Sequence, residues 1–140
     1  MPRRLLVDVE TCTECRACEF KCSFVHFALF NPNKSGVRIV SVWPELPRAR
    51  VCRQCEEPDC LLACPSEALV LTADGVVKVL VDQCSSCGNC VEACPYDGIW
   101  LDPLSGLAVK CDTCDGRFEC VADCFAGALS VGEREAEAYV

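Results

Sequence analysis

The sequence predicts an α+β chain of short helices and β-hairpins, and three observations predict it. Sixteen cysteines in 140 residues fall into four groups of four, with none left over. The groups repeat: Val9-Glu10-Thr11-Cys12 with Cys15, Cys18 and Cys22 matches Val81-Asp82-Gln83-Cys84 with Cys87, Cys90 and Cys94, while residues 49–70 resemble residues 108–130. Between the groups lie short β-prone runs broken by Asp-Gly, Pro and Ser-Gly turn signals.

The elements follow in order. Residues 5–9 read as a strand delivering the chain to Cys12. A helix is expected from Cys18 to about Leu29, because Cys18 and Cys22 stand one turn apart on one face. Residues 68–72 and 76–81 read as a hairpin turning at Asp74-Gly75. Residues 99–101 and 107–109 repeat that pattern around residues 102–106. Pro65 and Pro95 follow the last cysteines of groups two and three, where each stops a short helix; Ser23 and Phe125 stand in the matching places of groups one and four. Residues 23–51 form the longest cysteine-free stretch and hold His26, Phe27, Leu29, Phe30, Trp43 and Leu46. Two readings apply to these aromatics. They fill the core beside the cysteines, or some form an exposed docking patch.

The spacings point to metal. Cys12, Cys15, Cys18 and Cys22 run C-x2-C-x2-C-x3-C; Cys52, Cys55, Cys60 and Cys64 run C-x2-C-x4-C-x3-C; Cys84, Cys87, Cys90 and Cys94 run C-x2-C-x2-C-x3-C-P; Cys111, Cys114, Cys120 and Cys124 run C-x2-C-x5-C-x3-C. The first and third are the ligand run of bacterial ferredoxins, and four thiolates per cubane give ligands for four [4Fe-4S] clusters. Eight disulfides or zinc are the competing readings. Against disulfides, residues 2–7 run into Asp8 without the long apolar stretch of a secretory leader. Each group also holds a C-x2-C pair suited to one cluster face. The 51% hydrophobic content includes the cysteines. The core left without them is thin for a chain of this size and needs a staple.

Charge and motifs exclude several functions. The formal net charge is −8, and each oxidised cluster with its four thiolates adds about −2. Nucleic-acid binding is not expected without a basic patch. Arg16, Lys21, Arg53, Lys110 and Arg117 stand in or beside the cysteine groups, either as solvated side chains or as charges that stabilise reduced clusters. No segment is long enough to span a membrane, and Arg3-Arg4 is not followed by an apolar region, so a cytoplasmic location is expected. No thiol is spare for catalysis, and neither a G-x-G-x-x-G fingerprint nor a P-loop is present. The C-x3-C-x2-C order of radical enzymes is absent too. The chain is therefore expected not to be an enzyme. His26 is the only histidine, whereas a Rieske centre needs two; a surface or packing role is expected for it.

In two-cluster ferredoxins the fourth cysteine of each run ligates the other cluster. A hairpin joins groups two and three, which pairs them: Cys52, Cys55 and Cys60 with Cys94, and Cys84, Cys87 and Cys90 with Cys64. Groups one and four pair by elimination: Cys12, Cys15 and Cys18 with Cys124, and Cys111, Cys114 and Cys120 with Cys22. Spacing alone does not exclude pairing one with two and three with four. The expected organisation is two ferredoxin-like dicluster modules, the second inserted in the first. The outer module takes residues 1–50 and 108–140, with the 23–51 insertion, and the inner takes residues 51–107.

Four cysteine groups with looser second and fourth spacings resemble the iron–sulfur electron-transfer subunits of molybdenum and tungsten oxidoreductases of the dimethyl-sulfoxide-reductase type. In that family groups one and four share a module, as do two and three. The run Cys15-Arg16-Ala17-Cys18-Glu19-Phe20-Lys21-Cys22-Ser23-Phe24, followed by Phe30-Asn31-Pro32, is similar to the small four-cluster subunits that accompany tungsten aldehyde oxidoreductases of the aldehyde:ferredoxin type. The resemblance implies an electron-transfer subunit between a molybdenum or tungsten catalytic subunit and an acceptor subunit, such as a flavoprotein that reduces NAD. The chain departs from larger members in lacking long insertions and a C-terminal membrane anchor, which favours a soluble complex. End-to-end self-association through a heterologous contact is also expected, since both ends of such a wire carry clusters. A freely diffusing polyferredoxin and an iron–sulfur redox sensor are the rival functions.

Overall fold

The computed structural model describes residues 3–133. Strand β1 (Arg3–Val7) buries Leu5 and Val7 on one face and pairs antiparallel with β8 (Leu129–Glu133), placing Leu5 opposite Val131 and Val7 opposite Leu129. The strand stops two residues earlier than the apolar run suggests. The Asp8 carboxylate accepts the Glu10 N–H at 3.1 Å and the Thr11 hydroxyl at 2.8 Å, a turn that bends the backbone before Cys12.

Helix α1 (Ala17–Phe27) carries the expected Cys18 and Cys22 and buries Cys18, Glu19 and Ser23. It ends where Ala28 turns left-handed and donates its N–H to the Phe24 carbonyl at 2.8 Å. The Ser23 hydroxyl, fully buried, accepts the Asn31 N–H at 3.1 Å and folds the following loop back onto the helix. A 3-10 turn, Pro32–Lys34, leads to a hairpin that the cysteine spacing did not announce: β2 (Val37–Val40) against β3 (Arg48–Val51). Its signal is the alternation Val37-Arg38-Ile39, with Val37 and Ile39 buried.

The second half of the chain follows the expected order with shorter strands. Helix α2 (Asp59–Ala63) is followed by β4 (Leu69–Leu71) and β5 (Val77–Val79), which form one antiparallel pair. Helix α3 (Asn89–Ala93) leads to β6 (Ile99–Leu101) and β7 (Ala108–Lys110), which form another. A 3-10 turn at Thr113–Gly116 and α4 (Glu119–Asp123) complete the described chain before β8. Helices α2 and α3 end at Cys64 and Cys94, each in an extended conformation ahead of its proline; α4 ends the same way at Cys124 with Phe125 after it, so proline is not required for the stop.

Among the described residues the strands form four two-stranded sheets. The hairpins β2–β3, β4–β5 and β6–β7 join successive cysteine groups, and β1–β8 brings the residues before group one beside those after group four. Apolar burial collects in two clusters. One holds Leu5, Val7, Val37, Ile39, Phe118 and Leu129, from both ends of the described chain, with Cys18 and Cys120 among them. The other holds Leu69, Val77, Ile99 and Ala108 from the middle, with Cys90. Helix α1 packs on α4, and α2 packs on α3.

The aromatics of the 23–51 stretch do not supply the core. Phe27, Phe30 and Trp43 are exposed, Trp43 at 91%. Phe30 stacks on Phe24 with ring centroids 5.0 Å apart, so part of the stretch is an ordered surface patch. The β2–β3 hairpin fills the interior instead.

Candidate metal centres

The backbone is bent in the same way around each cysteine group. The residue two after the first cysteine has positive φ in all four: Glu14 at 59°, Gln54 at 50°, Ser86 at 62° and Thr113 at 62°. Non-glycine residues rarely take this conformation, and four repeats of it mark a shared requirement. In three groups the consequence is visible, because the bent residue's N–H points at the preceding sulfur: Glu14 to Cys12 at 3.4 Å, Gln54 to Cys52 at 3.3 Å, Thr113 to Cys111 at 3.4 Å. The fourth cysteines also accept backbone N–H groups, Cys64 from Ala68 and Cys94 from Gly98 at 3.3 Å each, and Cys22 from Gly36 at 3.1 Å. Donors aimed at sulfur stabilise it as an anion and are a lever on the redox potential of any iron it holds.

The fold gathers cysteines that are distant in sequence. A cavity of about 160 Å³ is lined by Cys52, Cys55, Cys60 and Cys94, with Tyr96 and Lys110 at its wall. A narrower cavity is lined by Cys22, Cys111, Cys114 and Cys120. Burial raises Cys90, and Cys84, Cys64 and Cys87 lie close enough for their charges to add to the rise. Cys18 stands in the same relation to Cys12 and Cys15, and Cys12 and Cys124 pack against the apolar cluster that contains Cys18.

These thiols resist ionisation on their own. Burial, aided by nearby charges, pushes Cys18 up to about 12 and Cys60 to about 11. Burial likewise pushes Cys111 to about 12 and raises Cys120 further. A thiol of this kind becomes a thiolate only when a cation replaces its proton, so metal binding here must release protons. Cys22 departs from the pattern. Burial pushes it up, but hydrogen bonds from His26 and from the Gly36 N–H outweigh that and pull it down.

His26 is therefore more than a packing residue. Its Nδ1 donates to the Cys22 carbonyl at 2.8 Å and lies 3.8 Å from the Cys22 sulfur, and its Nε2 donates to Asp112 at 2.9 Å. Asp112, followed by Cys114 and by contacts to Cys22, pushes His26 well above its ordinary value, and Asp112 itself is held at about 2, its burial outweighed by hydrogen bonds from His26 and the Cys114 N–H.

Two glycines shape the cavities. A Cβ on Gly98 would stand 2.8 Å from Cys52 Cα, and one on Gly36 would stand 2.7 Å from the Cys111 nitrogen. Gly36 follows Cys22 by 14 residues and Gly98 follows Cys94 by 4, so no shared spacing announces them; their likeness is structural, each N–H donating to the fourth cysteine of its group. Lys110, one of the cations that the sequence sets beside the cysteine groups, is buried rather than solvated, and Gln54, buried with it, had no sequence signal.

A thiolate-only donor set, N–H groups aimed at sulfur, and a cavity far larger than one ion fit an iron–sulfur cluster better than a single zinc. Among known proteins, residues 44–134 match the model of the 4Fe-4S dicluster domain. The chain belongs to the 4Fe-4S dicluster domain family. This makes it a [4Fe-4S] iron–sulfur protein; group one lies before the matched residues. Over 88 residues, 62% of this chain and 51% of the relative, it is 36% identical to the aliphatic sulfonate oxidoreductase, polyferredoxin-like subunit, of Pyrococcus furiosus. It is 34% identical over 97 residues to the electron transport protein HydN of Escherichia coli K12, covering 65% of this chain and 55% of that one. The formate dehydrogenase-O iron-sulfur subunit of the same bacterium is 32% identical over 110 residues, with 61% and 36% covered. The matches thus span about half or less of these relatives. A chain from the active site complex BamBC of benzoyl coenzyme A reductase, solved with 1,5 dienoyl-CoA, superposes with a TM-score of 0.55 at 31% identity, covering 96% of this chain and 78% of that one. No helix among the described residues is long and apolar enough to cross a membrane.

Proposed function

We propose that this dicluster-family chain is a four-cluster electron-transfer subunit of an oxidoreductase complex. The observation that carries the proposal is the meeting of cysteines from different groups in shared cavities, Cys94 with Cys52, Cys55 and Cys60, and Cys22 with Cys111, Cys114 and Cys120. The ligand sets of the reading are these two, Cys64 with Cys84, Cys87 and Cys90, and Cys124 with Cys12, Cys15 and Cys18. The clusters would supply one-electron redox chemistry. The protein's part is to hold them, to aim N–H groups at sulfur, and to keep water from the buried face.

The modules of this reading are residues 1–50 with 108–140, and residues 51–107. The β1–β8 pairing and the two separate apolar clusters support that division. The sets also have an order. Gln54, next to the Cys52 set, donates from Nε2 to the Cys111 carbonyl at 2.8 Å, which supports taking the Cys52 and Cys111 sets as the inner neighbours and the other two as the outer ones.

The names of the relatives, which include subunits of sulfonate oxidoreductase and formate dehydrogenase, support a catalytic partner. The run from Cys15 to Phe24 and Phe30-Asn31-Pro32 favours a tungsten aldehyde oxidoreductase as that partner, with a flavoprotein acceptor. A cytoplasmic location belongs to the same reading. The test is anaerobic purification of the tagged chain from its own cell. A stoichiometric partner containing tungsten or molybdenum, whose substrate bleaches the chain's visible absorbance, is expected. A chain that purifies alone and is reduced equally by unrelated enzymes is instead a diffusing carrier.

A further inference from the structure

Lys110 is a buried lysine, only 9% exposed, at the end of β7. Its Nζ donates to the Cys111 carbonyl at 2.8 Å and to the Val77 carbonyl. Gln54 shares both partners: its Nε2 donates to the Cys111 carbonyl at 2.8 Å, and its Oε1 accepts the Val77 N–H at 3.3 Å. Lysine and glutamine thus form one buried polar node that ties β5 to β7 and to group two. The node lies between two cysteine sets. Lys110 lines the cavity of Cys52, Cys55, Cys60 and Cys94, and it is bonded to the backbone of Cys111, which faces the other cavity.

The node has a charge problem. Two carbonyls satisfy hydrogen bonds but do not neutralise an ammonium. A buried charge without a counter-charge is costly. The ion pairs of the described residues engage Arg16, Lys21, His26, Lys34, Lys78 and Arg117, and none engages Lys110. Cys60 and Cys111 lie close enough to feel the Lys110 charge, so negative charge gathered on the cysteine sulfurs would compensate it. Thiolate-ligated iron–sulfur clusters are anionic, and become more so on reduction.

We propose that Lys110 is a positioning residue for electron transfer: a fixed positive charge shared by the two inner clusters, which raises the potential of both. This rests on the four-cluster reading above. The direction follows from elementary electrostatics. Adding an electron makes a cluster more negative, and a nearby cation inside a low-dielectric interior favours the more negative state. Gln54 helps to hold the ammonium in place: it binds the same Cys111 carbonyl and the N–H of Val77, whose carbonyl Lys110 binds.

The experiment compares Lys110→Met, Lys110→Arg and Gln54→Met in the anaerobically prepared full chain, by iron content and by potentiometric titration followed by electron paramagnetic resonance. In Lys110→Met with full iron, the reduced-to-oxidised ratio of two clusters at a fixed potential should fall about tenfold, or about 59 mV for a one-electron couple. The other two clusters should not move, and Lys110→Arg should keep the wild-type values. Gln54→Met, which retains the charge, should shift the two potentials less than Lys110→Met does. If Lys110→Met loses iron from the inner sets, retention by Lys110→Arg supports the charge role, and loss in both variants overturns it. Unmoved potentials in an iron-complete Lys110→Met, or an equal shift of all four clusters, also overturn it. A wild-type chain with fewer than four clusters strikes the underlying reading instead, and the iron count shows which has failed.

Discussion

Gly98 approaches Cys52 so closely that a methyl group on it would stand 2.8 Å from Cys52 Cα and 3.2 Å from the Val51 carbonyl. The contact joins the start of β6 to the start of group two, and the Gly98 N–H meanwhile donates to Cys94. One residue thus sets how near Cys94 comes to Cys52.

Gly98→Ala should therefore push these backbones apart and lose the metal of that set, about a quarter of the iron in a four-cluster chain. Gly127→Ala is the control. Gly127, unlike Gly98, has positive φ, at 72°, and nothing lies within 4 Å of its Cβ position. Its substitution should cost about 1 kcal/mol of backbone strain and no iron. Iron assay and thermal denaturation measure both effects. Equal iron in the two variants would show that the Gly98 contact does not shape the site.

Cys22→Ser should damage the cluster attributed to Cys111, Cys114 and Cys120, leaving that of Cys12, Cys15 and Cys18. The reason is the shared cavity of Cys22 with Cys111, Cys114 and Cys120. Pairing this variant with Cys12→Ser separates the spectra. Identical spectral losses in both would mean that each group binds its own cluster.

Asp102 gives a pH test away from the cysteines. It is buried, and it accepts hydrogen bonds from Lys34, from the Leu104 N–H at 3.1 Å and from the Ser105 hydroxyl at 2.9 Å. Burial pushes its carboxyl up, but these bonds outweigh burial and hold it below the ordinary 3.8. A carboxylate depressed in the folded state contributes stability that is complete above its unfolded value and lost as pH falls through the folded one. Asp102→Asn should cost about 1–3 kcal/mol near neutral pH. By anaerobic denaturation that difference should stay constant from about pH 8 to about pH 5, closing only below about 3.9. A difference that narrows between neutral pH and pH 5 would contradict it.

Phe30→Ser and Trp43→Ser should leave cluster content intact, because both side chains are exposed rather than packed around sulfur. If the patch docks a partner, each should weaken assembly of the complex. Iron assay beside co-purification reads the two effects separately. Loss of iron with unchanged assembly would return these aromatics to a packing role.

Much of this was legible in the sequence because ligand spacing is dense. Sixteen cysteines leave few other arrangements, and the helix from Cys18 and both Gly-containing hairpins followed from local chemistry. The β2–β3 hairpin was hidden because its strands, Val37–Val40 and Arg48–Val51, are separated by a loop with no compact turn signal. The β1–β8 pairing was hidden because it joins residues more than a hundred positions apart, which no local period reports. The His26–Cys22 contact was obscured for a related reason. Counting ligands showed that histidine was not needed on a cluster, but counting does not show what donates to a sulfur. The backbone bends at Glu14, Gln54, Ser86 and Thr113 had no residue-type signature at all.

Iron and acid-labile sulfide per chain, measured on anaerobically prepared protein, test the central claim most directly. Four sets of four thiolates call for close to sixteen irons and sixteen sulfides, about four of each per cluster. About half that iron after full reconstitution, or stoichiometric zinc without sulfide, would contradict the four-cluster account.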